Sequence, residues 1–127
     1  MKKLTVPVLD DKDKEFVDSL VKVGLNRNIS KTLVYLANVE ETLSRDIEIG
    51  ANLRQPEVSL VMRELRAQGW VGEREIKKEG KGRPVKCYKL SVSLTDIIST
   101  LEETKRKEAQ AHLKNIEKLR SLSDKIK

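Results

Sequence analysis

Few side chains in this sequence suit bond making, and many suit polar recognition. Between Arg54 and Arg66 stand Arg54, Gln55, Ser59, Arg63 and Arg66, with Pro56 and Leu60 interleaved. Gln can pair two-pronged with the edge of adenine, Arg with guanine, and Ser with a base or a phosphate, while Leu60 or Pro56 can meet a thymine methyl. Further along, Lys77, Lys78, Lys81, Arg83 and Lys86 crowd into one short stretch. Such a cluster suits phosphates or the narrow minor groove of A·T tracts. Gly80 and Gly82 allow close backbone approach to a duplex, Pro84 stiffens the return, and Arg83 is the residue expected at the tip. The chemistry on offer is recognition of a polyanion.

Catalysis has nothing comparable. One His, His112, and one Cys, Cys87, provide no His-centred dyad, no intramolecular disulfide and no ligand set for a structural metal. No enzyme activity, metal or cofactor is expected. His112, among charged neighbours, reads as a surface residue. Cys87 shares a strand face with Val85 by alternation and reads as a small hydrophobe rather than a redox switch. Gly80-Lys81-Gly82 lacks the spacing of a phosphate loop.

Composition points the same way. The 127 residues fit one domain, and 38% hydrophobic with 36% charged and 3% aromatic residues suits amphipathic helices. Of the net charge of +6, the surplus is concentrated: Arg54 to Leu90 holds ten Lys and Arg against five Asp and Glu, whereas Asp10 to Gly50 holds six against nine. No apolar run is long enough for a membrane span or a signal peptide, so a cytoplasmic protein is expected.

The elements that must position these residues follow from periodicity. Phe16, Leu20 and Val23, with Val17 and Val21 beside them, predict a helix over 10–25, its start favoured by Asp10, Asp11 and Asp13 and its end marked by Gly24. The Asn26-Arg27-Asn28 cluster reads as a break. Ser30 is expected to cap a second helix through Leu33, Leu36 and Val39, with Ile29 and Val34 as a hydrophobic staple. Ser44 is expected to cap a short helix to Ala51, and Asn52-Leu53-Arg54 is a turn. Pro56 is tolerated only in a first helical turn, which starts a fourth helix near Gln55 that runs through Val58, Val61, Met62 and Leu65 to a stop at Gly69. If those four face the core, Gln55, Ser59, Arg63 and Arg66 face out. Trp70 to Ile76 and Val85 to Leu90 read as a β-hairpin with a long basic tip. From Ser93 on there is no Gly or Pro. Leu94, Ile97, Ile98 and Leu101 form an apolar stripe that resumes at Leu113, Ile116, Leu119, Leu122 and Ile126 after the charged stretch from Glu102 to His112. A distal stripe with no core in reach suggests dimerisation.

The fold class expected is therefore mainly α with a small β-hairpin: a winged helix-turn-helix over residues 1–92 and a long C-terminal dimerisation helix over 93–127. The stretch from Asp46 to Val71, with its Asn52-Leu53-Arg54 turn, resembles the helix-turn-helix of archaeal and bacterial regulators of the MarR, ArsR and TrmB-like group. Gly82-Arg83-Pro84-Val85-Lys86-Cys87-Tyr88-Lys89-Leu90 is similar to the wing segment of that group. The resemblance covers roughly residues 28 to 92 and implies a dimer on a pseudo-palindromic operator, with the helix at Gln55 in the major groove and the wing around Arg83 on backbone or minor groove. It departs from metal-sensing ArsR-type members, which carry cysteines near the reading helix, and from TrmB-type sugar sensors, which append a large effector domain. The function expected is sequence-specific binding of double-stranded DNA by a homodimeric transcriptional regulator. Two alternatives share the fold: a protein-interaction module of the transcription machinery, contacting partners through Leu60 and Pro56, and a chromatin-type protein that coats DNA without sequence choice.

Overall fold

The computed structural model describes residues 8–76 and 84–126. The first helix, α1 (Asp11–Val23), begins where Asp10 and Asp13 cap each other: Asp13 N donates to Asp10 Oδ1 at 2.8 Å and Asp10 N to Asp13 Oδ2 at 3.1 Å. Four N-terminal amides of any helix lack partners, so this exchange satisfies two donors at once. Gly24, at φ 123°, ends the helix. The buried pair is Val17 and Leu20, so the core-facing stripe is centred away from Val23, which is exposed.

The second helix, α2 (Arg27–Ala37), starts earlier than expected. Asn26 is its cap, its side chain accepting from Asn28 N at 2.8 Å and Ile29 N at 3.2 Å. The expected Ser30 cap is corrected, and with it the Ile29–Val34 staple. Ser30 lies inside the helix, buried, with its hydroxyl donating back to the Asn26 carbonyl at 2.9 Å. Two residues with capping side chains stood one turn apart, and the one nearer the Gly24 turn took the role. Val39 lies beyond the end of α2.

Thr42–Leu43 form a short strand, β1, which sequence periodicity does not reveal because two residues carry no period. It leads directly into α3 (Ser44–Gly50), whose cap position is Leu43 with no side-chain bond, so the proposed Ser44 cap is also corrected. The turn after α3 holds Asn52 at φ 57°, a left-handed conformation that Asn tolerates better than most residues, and it buries Leu53. Helix α4 (Gln55–Ala67) then begins with Pro56 in its first turn, where a missing N–H costs nothing. Glu57 accepts from Arg54 N at 2.8 Å, which satisfies the donor preceding the helix. Gly69, at φ 78°, follows its end.

Strands β2 (Val71–Ile76) and β3 (Val85–Leu90) pair antiparallel from Val71↔Leu90 to Ile76↔Val85. The expected hairpin is in fact two strands of a three-stranded sheet of order β1-β3-β2, with Thr42↔Tyr88 and Leu43↔Cys87 on the other edge of β3. Arg74 on β2 reaches past β3 to Glu41, making a two-pronged ion pair at 2.6 and 2.9 Å. The chain divides by its internal contacts into residues 1–94 and 95–127. The second unit is the body of α5 (Leu94–Ile126), 33 residues, whose buried residue is Ile97.

The core of the first unit is built from Leu33, Tyr35 and Leu36 of α2, Ile47 of α3, and Val58, Val61, Met62 and Leu65 of α4. At its centre the Tyr35 ring lies against the backbone of α3. A Cβ at Gly50 would come within 2.1 Å of Tyr35 Cε1. The Tyr35 hydroxyl meets Thr42 Oγ1 at 3.1 Å, both residues buried, so one side chain ties α2 to α3 and β1.

Two expectations follow. Gly50→Ala should destabilise the fold by about 1–3 kcal/mol from overpacking, even though Ala is the better helix former, and the loss should shrink when Tyr35 is changed to Leu. Equal melting temperatures for the native chain and Gly50→Ala would contradict the packing described. The Arg74 hydrogen bond holds the Glu41 carboxyl below its usual range. Its contribution is therefore present at neutral pH and lost as acid protonates Glu41, so Arg74→Gln should lower the melting temperature at pH 7 and converge on the native chain as the pH falls through the lowered Glu41 titration.

Candidate nucleic-acid interface

Helix α4 separates its residues cleanly. Val58, Val61, Met62 and Leu65 recur at helical spacing and are buried, which forces Gln55, Pro56, Ser59, Leu60, Arg63 and Arg66 outward, together with Arg54 just before the helix. Each of the seven residues expected on this face is exposed. Gln55 Nε2 donates to Ser59 Oγ at 3.0 Å, so the two present one joined polar surface one turn apart. Leu60 is 61% exposed, the largest unburied apolar side chain of this helix.

The helix that supports α4 is not merely a brace. Arg45, near the start of α3, is exposed and joins Ser44, Gln55, Ser59 and Lys86 around a groove of about 510 Å³ floored by Leu43, Val85 and Tyr88. Arg45 was missed by sequence reasoning. The available signal was a cation in the first turn of a helix, where the dipole disfavours it and stability offers no reason for it. Burial, with Glu73 as a second cause, holds the Tyr88 hydroxyl above its usual range, so it remains a protonated donor at neutral pH.

Glu73 connects α4 to the sheet. One carboxylate oxygen lies 3.4 Å from Arg66 Nη1 and the other 3.7 Å from Lys86 Nζ. The first oxygen is buried without an aligned hydrogen bond from the described residues, so the Arg66 contact is one of charge rather than of donor geometry. Arg66 and Lys86 are therefore partly neutralised, whereas among the described residues no ion pair or hydrogen bond ties down the Arg63 and Arg45 guanidinium groups. The Lys77, Lys78, Lys81 and Arg83 positions, with Gly80 and Gly82, lie outside the described residues.

Cys87, on the central strand, is 5% exposed as a free thiol, and Tyr88 beside it is buried as well. Simple alternation fails here because β3 is covered on both faces. Burial pushes the Cys87 thiol upward. His112 is exposed on α5. Among the described residues no cluster of three His, Cys, Asp or Glu could hold a metal ion, and no helix is long and apolar enough to cross a membrane.

No family model matches this sequence, and no curated protein matches it by sequence. Solved structures do match the fold. A possible transcriptional regulator from Methanosarcina mazei Go1 superposes with a TM-score of 0.64 at 14% identity, over 80% of this chain and 87% of that one. A mutant form of MepR from multidrug-resistant Staphylococcus aureus gives 0.52 at 16% identity, over 82% and 75%. A MarR family transcription regulator gives 0.50 at 12% identity, over 80% and 66%. At such identities the likeness establishes the fold: this chain has the winged-helix architecture found in MarR-type transcriptional regulators, mainly helical, with a small antiparallel sheet and a long C-terminal helix.

The burial of Cys87 has a direct chemical consequence. Its thiol should react with an aromatic disulfide reagent at pH 8 at least about a hundredfold more slowly in the native chain than after unfolding in guanidinium. Labelling at equal rates would show instead an exposed, reactive thiol.

Proposed function

We propose that this chain is a homodimeric regulator of the winged-helix, MarR-like type known from archaea and bacteria, which binds duplex DNA with sequence choice and controls transcription by occupying promoters. The observation that carries the reading is the exposed row of Gln55, Ser59 and Arg63 on a helix whose other face is wholly engaged in the core. A major groove admits one α-helix, and those three side chains have the donor and acceptor sets that distinguish base pairs. Gln55, Ser59 and Arg63 read; Leu60 and Pro56 meet thymine methyls; Arg45, Arg54, Arg66 and Lys86 lie along the phosphates. Lys77, Lys78, Lys81 and Arg83, by their place in the sequence between β2 and β3, add cations to the same strand pair and hold backbone or minor groove. Two copies related by a two-fold axis would contact half-sites about 34–36 Å apart. The exposed Leu113, Ile116, Leu119 and Ile126 of α5, with the less exposed Leu94, Ile98 and Leu101, are the side chains offered to that partner. Ile97, also expected there, is fully buried in the single chain and is not available to it. The role needs no cofactor or metal and places the protein in the cytoplasm.

The test separates reading from holding. Arg63→Ala should cost about 1–3 kcal/mol on the preferred sequence and relax one base position, whereas Lys86→Ala and Arg83→Ala should weaken binding to all duplexes and lower the salt slope by about one each. Fluorescence anisotropy across a salt series, on a site selected from a random pool, measures both. Weak, salt-insensitive binding would favour a protein-interaction module using Leu60, and a pool that returns no motif would favour a DNA-coating protein.

A further inference from the structure

Helix α5 continues for 33 residues, about 50 Å at 1.5 Å per residue, and every residue from Glu102 to Ile126 is exposed. At 100° per residue its apolar side chains are not scattered. Ile98 and Leu101 fall on the same stripe, about 120° wide, as Ile116, Leu119, Leu122 and Ile126. Leu113 lies off its edge. Between the two apolar groups the stripe carries Thr104, Lys105, Glu108, His112 and Asn115.

The pattern is symmetric about Gln110 except at Ile116, which mirrors Thr104. Ile98 stands as far before Gln110 as Leu122 stands after it, and Leu101 mirrors Leu119, as Leu94 mirrors Ile126. A helix pairing with a second copy in the same direction has no use for such mirror symmetry, because each residue meets itself. It would also set Lys105 on Lys105 and Glu108 on Glu108. Run in the opposite direction, the polar centre matches instead: Glu108 faces His112 of the second copy, and Lys105 faces Asn115, each a donor meeting an acceptor. The contacts these side chains make within one chain, such as Lys105 with Glu108 at 3.2 Å, are exposed ion pairs that are readily exchanged. Opposed helix dipoles favour the same arrangement.

We propose that α5 binds α5 of a second copy antiparallel, centred on Gln110, with Ile98 against Leu122 and Leu101 against Leu119 at both ends and Glu108 facing His112 in the middle. The proposal rests on the homodimer suggested above and specifies its partner face, direction and register. Its polar centre selects register, because a slide of two turns sets Lys105 and Glu108 against Leu122 and Leu119 in one direction and Ile98 and Leu101 against Asn115 and His112 in the other.

Single cysteines in the full chain test it, with buried Cys87 left in place. Leu101→Cys and Leu119→Cys, each purified alone and then mixed under mild oxidation, should form the disulfide-linked mixed dimer at least about tenfold faster than either forms a linked dimer with itself, since only facing Cα atoms come within bridging reach. Ile98→Cys with Leu122→Cys is the second pair, should Leu101→Cys fold poorly. Light scattering should report a dimer for the native chain. If Leu119→Cys alone links as fast as the mixture, the pairing is parallel and the proposal fails while the homodimer stands. A dimer in which neither pair links uses another surface and also overturns the proposal. A monomer removes the homodimer and this pairing together. DNA affinity, measured separately, bears on neither cross-link.

Discussion

The approach of α3 to α2 is set by one contact, the Tyr35 ring against the bare backbone of Gly50. A side chain at residue 50 would push α3 outward. Because α3 leads through the Asn52 turn into α4, that displacement would carry α4 with it. The same tyrosine bonds Thr42, whose strand pairs with β3, so the sheet is referenced to the same point. The exposed polar face of α4 is thus held by a buried side chain that touches none of it. This is how a small domain keeps exposed polar groups in fixed relation: the positions are set from inside, where packing is dense and displacement costs energy.

Electrostatics on this scaffold are graded rather than uniformly positive. Glu73 draws Arg66 and Lys86 toward the sheet, and Glu41 engages Arg74 across it. Arg45, Arg54 and Arg63 remain at the surface. An acid among the cations orients them before any ligand arrives, which reduces the ordering needed on binding, at the cost of part of the net attraction. The concentration of positive charge between Arg54 and Leu90 in the sequence is therefore an upper measure of what a polyanion would meet.

Much was legible because it depends on local rules. The α4 face followed from four apolar residues at helical spacing and a proline that can stand only in a first turn. The stop at Gly69 and the left-handed turn at Asn52 followed from what those residues tolerate. The paired strands followed from strand-like segments on either side of a Gly- and Pro-rich stretch, and the long α5 from the absence of breakers. What was missed has equally definite causes. Asn26 and Ser30 were both competent caps, and the choice between them belonged to the chain entering the helix. The strand at Thr42 is too short to have a pattern. Arg45 showed in the sequence only as a misplaced cation in a first helical turn, because its neighbours in the groove, Lys86 and Tyr88, are some forty residues away.

The amino-acid sequence by itself determined which faces are apolar, where α4 begins, and where the cations are concentrated, since these depend on side-chain type and on spacing within one element. Only the tertiary structure decided that Arg45, Ser59 and Lys86 share a groove, that Glu73 stands between two of the cations, and that Ile97 is already used. Those facts depend on distances between elements remote in the chain, and such distances are set by how side chains of particular volume fit together at Tyr35 and Gly50, which no periodicity records.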